Sequence, residues 1–163
     1  MPKFSVVVAA YNIEKYIGRC IRSLKEQSLN DFEAIVVDDC STDGTLSVIE
    51  DEAGSDDRFI IVRHERNKGR HVVRKDGVFR ATGEFTLFLD GDDEFEPDFL
   101  ERLYERCSTA DADIVHFGMT VVPEGVSKGE LTAFESNANR PSGTIRGSEV
   151  LRRIFSEDEG QLM

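Results

Sequence analysis

Apolar residues follow two repeating arrangements along this chain, and their alternation predicts its architecture. Phe4 to Ala10 is a near-continuous apolar run, Phe-Ser-Val-Val-Val-Ala-Ala, as expected of a strand buried on both faces. Ile13, Ile17, Cys20, Ile21 and Leu24 then recur at helical spacing, with Asn12 placed to cap that helix. Phe32 to Val37 is a second, β-branched strand that ends at Asp38-Asp39. Ser41-Thr42-Asp43-Gly44 reads as a turn leading into a helix with Leu46 and Ile49 on its buried side. Phe59-Ile60-Ile61-Val62 is a third short strand.

Residues 70–81 form the next predicted helix, closed by Gly83. Phe85-Thr86-Leu87-Phe88-Leu89 is a strand, and Pro97 opens a helix with Phe99, Leu100, Leu103, Tyr104 and Cys107 on one face. Ile114 to Val122 reads as another strand, and residues 123–141 as a polar loop or weak hairpin. Ser148 caps a last helix carrying Val150, Leu151, Ile154 and Phe155. This alternation places the chain in the α/β class, with a mainly parallel, Rossmann-like sheet and helices on both faces. No internal repeat or low-complexity segment interrupts it.

Composition narrows the function. A chain of 163 residues with 39% hydrophobic and 32% charged residues can bury a real core. Its net charge of −12 argues against nucleic-acid binding, which depends on Lys and Arg neutralising phosphates. The same acidity means that a polyphosphate ligand would gain from a bound cation. Cys20, Cys40 and Cys107 are too scattered for a metal site or a disulfide framework, as expected in a reducing cytosol. No apolar run approaches the roughly 18 residues of a membrane span, and Met1-Pro2-Lys3-Phe4 carries no signal-peptide pattern. A membrane anchor in a longer parent protein stays open.

The candidate chemistry sits at strand ends. Leu89 runs into Asp90-Gly91-Asp92-Asp93, three carboxylates in four positions. Crowded like charges raise one another's pKa, and a hard cation such as Mn²⁺ or Mg²⁺ removes the conflict while bridging to phosphate oxygens. An acidic turn capping the next helix is the plainer alternative. Asp38-Asp39 forms a second cluster, from which one carboxylate could accept a nucleobase N–H. Asp39, Ser41, Asp43, Gly44 and Glu50 also match EF-hand positions. The preceding segment reads as strand rather than helix, which weighs against calcium. Tyr11 could stack on a base or belong to the rim of the core. Arg74 could hold a diphosphate by paired hydrogen bonds or form part of a solvated basic face with Lys68, Arg70 and Lys75. His64, His71 and His116 show no ligand spacing.

Taken in order, Phe4 to Asn12, Val36 to Thr45, Asn67-Lys68-Gly69, Arg74, Ala81 to Phe85 and Leu87 to Asp93 resemble the blocks of family 2 glycosyltransferases, over residues 4–122. The likeness is greatest to bacterial enzymes that build cell-surface polysaccharides, teichoic acids or lipopolysaccharide. It implies the GT-A nucleotide-diphosphosugar transferase fold, a UDP-sugar donor, a glycan or polyol acceptor and inversion at the anomeric carbon. By position, Ala10, Tyr11, Asn12 and Asp39 correspond to the base side, Arg74 to the diphosphate side, and Asp90-Gly91-Asp92 to the DxD motif. Asp92 would be the direct metal ligand, with Asp90 nearer the ribose or metal-bound water. Ala10 stands where the family has Pro, Cys40 where it has Gly, and Val73-Arg74-Lys75 where it has Ala-Arg-Asn.

The family's general base comes later than any matching residue, and Glu157-Asp158-Glu159 stands too early for it. The resemblance therefore implies a nucleotide-sugar core over 1–122 and the start of an acceptor half over 123–163, with the base expected beyond Met163. A donor-binding fragment without turnover is the alternative. Location would be cytoplasmic, at the inner face of the cell membrane for a full-length protein.

Overall fold

The computed structural model describes residues 1–110 together with Val115, Phe117 and Met119. Strands and helices alternate as β1 (Phe4–Ala10), α1 (Glu14–Lys25), β2 (Phe32–Asp38), α2 (Thr45–Ala53), β3 (Phe59–Arg63), α3 (Arg70–Val78), β4 (Phe85–Asp90) and α4 (Phe99–Ala110). The sheet order is β3-β2-β1-β4 and every pairing is parallel. The strand expected from Ile114 and the segments beyond it, with His116 and Glu157-Asp158-Glu159, lie outside the described residues, as does the expected boundary at 122. Contacts divide the chain into Met1–Glu105, which carries this sheet, and Arg106–Met163.

The two central strands are apolar throughout because both of their faces are covered. On one face Ile35 and Val37 pack with Val73 of α3, joined by Ala9, Val62 and Ala81. Gly77 brings α3 close enough that a Cβ there would stand 2.3 Å from Val7 Cγ1. Val6, Val8, Ala34 and Val36 alternate to the opposite face and are also sealed from solvent. The helices on that face are α1 and α2, whose buried side chains include Ile17, Ile21, Leu24 and Ile49, and α4, whose Tyr104 ring meets Phe4 edge-on. Each fully buried side chain of this kind contributes about 1.5–3 kcal/mol.

Three local expectations are corrected. Asn12 does not cap α1. The N-cap is Ile13, without a side-chain cap bond, and Asn12 takes a left-handed φ of 51°. The helix over 70–81 ends at Val78, and Gly83 does not close it. Gly83 instead lies against β1, where a Cβ would stand 2.6 Å from the Ser5 nitrogen, and its N–H donates to Ser5 Oγ. The third strand extends to Arg63 and is half exposed, because β3 is an edge of the described sheet.

The topology also places a crevice. From β1 the chain steps outward through β2 to β3, and α3 then carries it back to β4 on the far side of β1. Strand order therefore reverses between β1 and β4. Open parallel sheets bind ligands outside the strand carboxyl ends at such a reversal.

Candidate functional site

A cleft of about 250 Å³ lies at that reversal. Ala9, Ala10, Tyr11 and Ile13 line it from the end of β1, and Asp39 from the end of β2. Asn67, Gly69, Arg70 and Val73 contribute the start of α3, and Asp90 and Asp92 close it from β4. Strand register brings these ends level, with Ala10 beside Asp38 and Ala9 beside Asp90.

Two loops at the β1 and β2 end of the cleft cap each other. The N–H groups of Asn12, Ile13 and Glu14 donate to Ser41 Oγ, Thr45 Oγ1 and Asp43 Oδ2 at 3.0, 2.8 and 3.3 Å. In return, Asn12 Oδ1 accepts the Thr42 N–H at 2.8 Å and Glu14 Oε2 accepts that of Gly44 at 3.0 Å. The orphan donors at the start of α1 are thus met by side chains some thirty residues away in sequence. These bonds also dispose of the EF-hand reading. Ser41 and Asp43 spend their oxygens on backbone N–H groups, and β2 precedes them where a helix would be required.

The two aspartates ending β2 divide their work. Asp38 is fully buried and accepts the Ser41 N–H, shaping the turn. Asp39 faces the cleft, 3% exposed, with Oδ1 accepting from Lys68 N at 2.9 Å and Oδ2 from Gly69 N at 2.8 Å. His64 Nδ1 stands 2.7 Å from the same Oδ1, and His64 Nε2 is 3.0 Å from Asp76 Oδ2. Burial pushes the Asp39 carboxyl up, but the His64 ring and the Lys68 and Gly69 N–H groups outweigh it and hold the group below the usual aspartate value. Three of its four lone-pair directions are used, leaving one on Oδ2.

At the other end, the Gly91 N–H donates to Ala9 O at 3.0 Å and the Asp93 N–H to Asp90 O at 2.9 Å, folding the acidic segment over the end of β1. A Cβ on residue 91 would meet Ile13 Cδ1 at 2.5 Å and Ala9 O at 2.9 Å, so only glycine fits. Asp90 Oδ1 accepts from Arg74 Nη2 at 3.0 Å, and Oδ2 from Arg70 Nη1 at 3.4 Å. Arg74 Nε is buried without a hydrogen-bond partner, a deficit worth about 1–3 kcal/mol. Burial, then Asp92 and Asp90, push the Asp93 carboxyl up. Burial, followed by the charges of Asp93, Glu94, Asp92 and Asp90, pushes the Cys20 thiol up to about 12.

Among the described residues no group of three or more His, Cys, Asp or Glu side chains is arranged around a metal position. Asp90 and Asp92 nevertheless suit a hard cation that takes one or two carboxylates and completes its shell with phosphate and water. Of the residues expected at the site, Ala10, Tyr11, Asp39, Asp90 and Asp92 meet in the cleft. Asn12 instead serves the 41–45 loop, Gly91 acts through its backbone, and Arg74 reaches the site through Asp90. Sequence reasoning missed His64 and Arg70 as members. A lone histidine or arginine has no spacing signature, whereas Asn67 and Gly69 were visible in a matching block.

Comparison with known proteins decides the lineage. Residues 5–154 match the model of glycosyl transferase family 2. The chain belongs to that family. It is 35% identical over 156 residues to the GalNAc(5)-diNAcBac-PP-undecaprenol beta-1,3-glucosyltransferase of Campylobacter jejuni, covering 95% of this chain and 48% of that protein. Among solved structures it resembles S. aureus TarS 1-349 in complex with UDP-GlcNAc, with a TM-score of 0.70 and 34% identity over 80% of this chain and 38% of that one. The mannosyltransferase PcManGT of Pyrobaculum calidifontis, in complex with GDP-Man and Mn²⁺, has a TM-score of 0.54 and 28% identity over 58% of this chain and 28% of that one. The fold is GT-A. The chain spans less than half the length of the curated relatives it matches. No helix among the described residues is long and apolar enough to cross a membrane.

Proposed function

We propose that this chain is the donor-binding part of an inverting glycosyltransferase that moves a sugar from a UDP-type nucleotide-sugar to a hydroxyl of a cell-surface glycan. The observation that carries the reading is one cleft, at the strand-order reversal, with a base-side acceptor at one end and cation-binding carboxylates at the other. Tyr11 offers a ring for stacking, and the remaining Oδ2 lone pair of Asp39 accepts the uracil N3–H. Asp90 and Asp92 would hold Mn²⁺ or Mg²⁺, whose chemistry is Lewis-acid neutralisation of the departing diphosphate. Arg74 adds a guanidinium on the same side. The UDP-GlcNAc bound by TarS and the Mn²⁺ bound with GDP-Man by the mannosyltransferase support donor and cation respectively.

Deprotonation of the acceptor hydroxyl needs a carboxylate on the acceptor side. Among the described residues the carboxylates lining the cleft are Asp39, Asp90 and Asp92, all with donor-side tasks. That assignment favours a second reading, a module that binds the donor without turning it over. Calorimetry with UDP and Mn²⁺ tests the shared step: binding is expected, and Asp92→Ala should weaken it at least about tenfold. Equal binding by Asp92→Ala would sink the metal assignment. UDP release that rises on adding an acceptor glycan selects the enzyme, and release at background selects the module.

A further inference from the structure

Asp90 divides its two oxygens between two guanidiniums. Arg74 holds Oδ1 and Arg70 holds Oδ2. The arginines stand four residues apart on α3, so they project from the same side of the helix. A divalent cation approaching Asp90 therefore meets two positive charges already in place. Arg70 also occupies a telling position between the ends of the cleft. Its backbone follows Gly69, whose N–H is bound to Asp39, while its side chain reaches Asp90. A nucleotide with its base at Asp39 would lay its diphosphate along that path. Arg70 lines the cleft with its side chain 66% exposed, free to turn, and Arg74 holds a buried N–H that lacks a partner.

We propose that Arg70 is a diphosphate-binding residue that, together with Arg74, occupies Asp90 until the nucleotide arrives. The nucleoside diphosphate draws both guanidiniums onto its phosphate oxygens, which accept paired hydrogen bonds better than a single shared carboxylate. Asp90 is then released to the divalent cation. Nucleotide and cation thus promote each other's binding, and by linkage the promotion is equal in both directions. This inference rests on the nucleotide reading of the cleft. An ordinary exposed ion pair, the competing account, would contribute little to either ligand.

Arg70→Met separates the two. Titrations with Mn²⁺ alone, UDP alone, UDP with Mn²⁺, and uridine are followed by calorimetry and by the manganese paramagnetic resonance signal. Arg70→Met should bind Mn²⁺ alone about threefold more tightly, because a competing charge is gone. It should bind UDP with Mn²⁺ about tenfold more weakly, and uridine as the parent does. Arg70→Lys, which keeps a charge but not the fork, should exclude free Mn²⁺ as the parent does and recover only part of the UDP affinity. Unchanged Mn²⁺ and UDP binding in Arg70→Met overturns the proposal, as does an equal loss for uridine and UDP. If the parent binds neither UDP nor uridine, the nucleotide reading falls and takes this inference with it. Parent binding of UDP with no effect of Arg70→Met removes this inference alone.

Discussion

His64 Nδ1 stands 2.7 Å from Asp39 Oδ1, with both side chains nearly sealed from solvent. Asp76 faces the other ring nitrogen at 3.0 Å, and both contacts are hydrogen bonds only when both ring nitrogens carry protons. The row ties the wall of the cleft to α3. Burial raises the Asp39 and Asp76 carboxyls, but His64 and the neighbouring donors hold both below their usual value. Their contribution is therefore present above about pH 4 and lost as pH falls through the folded-state values. Denaturant unfolding at a series of pH values should show a shallower acid limb for Asp39→Asn than for the parent. His64→Ala should lose about 1–3 kcal/mol, the cost of removing one of the three donors to the Asp39 carboxylate.

Gly91→Ala should cost about 1–3 kcal/mol, because the added Cβ meets both a side-chain tip and the Ala9 carbonyl. It should also weaken UDP binding in the presence of Mn²⁺, since the turn carrying Asp90 and Asp92 must lift from β1. Thermal melts and calorimetry on the same sample check both effects. An unchanged melting temperature would show that the turn tolerates the clash.

Sequence patterns disclosed the sheet because β1 and β2 are buried on both faces, which leaves uninterrupted apolar runs. They also drew attention to Asp39, Asp90 and Asp92, carboxylates crowded at strand ends, which the fold brings to one cleft. The start of α1 was misread because its caps come from Ser41, Asp43 and Thr45, and a contact across thirty residues leaves no local mark. Gly83 was misread for a related reason. Its small size serves an approach to Ser5, seventy-eight positions away, rather than the end of a helix. Glycine announces that something close is needed without saying what. Arg70 and His64 acquire their meaning only from the partners the fold brings to them.

Cys40→Gly should stabilise the protein by up to about 1 kcal/mol. Cys40 adopts φ of 63°, a left-handed conformation that costs a side-chain-bearing residue about 1–2 kcal/mol, partly offset by glycine's greater unfolded-state entropy. Its thiol makes only a 3.6 Å contact to Glu65 O, so little is lost. Chemical denaturation should place the midpoint of Cys40→Gly at or above that of the parent. A clear drop would mean that the thiol contact outweighs the backbone.

Cys20 should be inert to aromatic disulfide reagents at pH 8. Burial, reinforced by the acidic turn above it, keeps the thiol protonated, and the thiolate is the reactive form. The fast labelling amplitude of Cys20→Ala should therefore equal that of the parent. Loss of one equivalent would show that the thiol is reachable.

The level register of β2, β1 and β4 works as a ruler. Asp39 and Asp90 leave strands two places apart, so the sheet's own spacing separates their backbones by about 10 Å. Hydrogen bonds along the whole length of the strands hold that interval, and no side-chain adjustment can shorten it. A ligand that touches both marks must be long enough to bridge them. Length itself thus becomes a selected property: on the nucleotide reading proposed above, UDP should bind with Mn²⁺ more tightly than UMP, and calorimetry with the two nucleotides checks it.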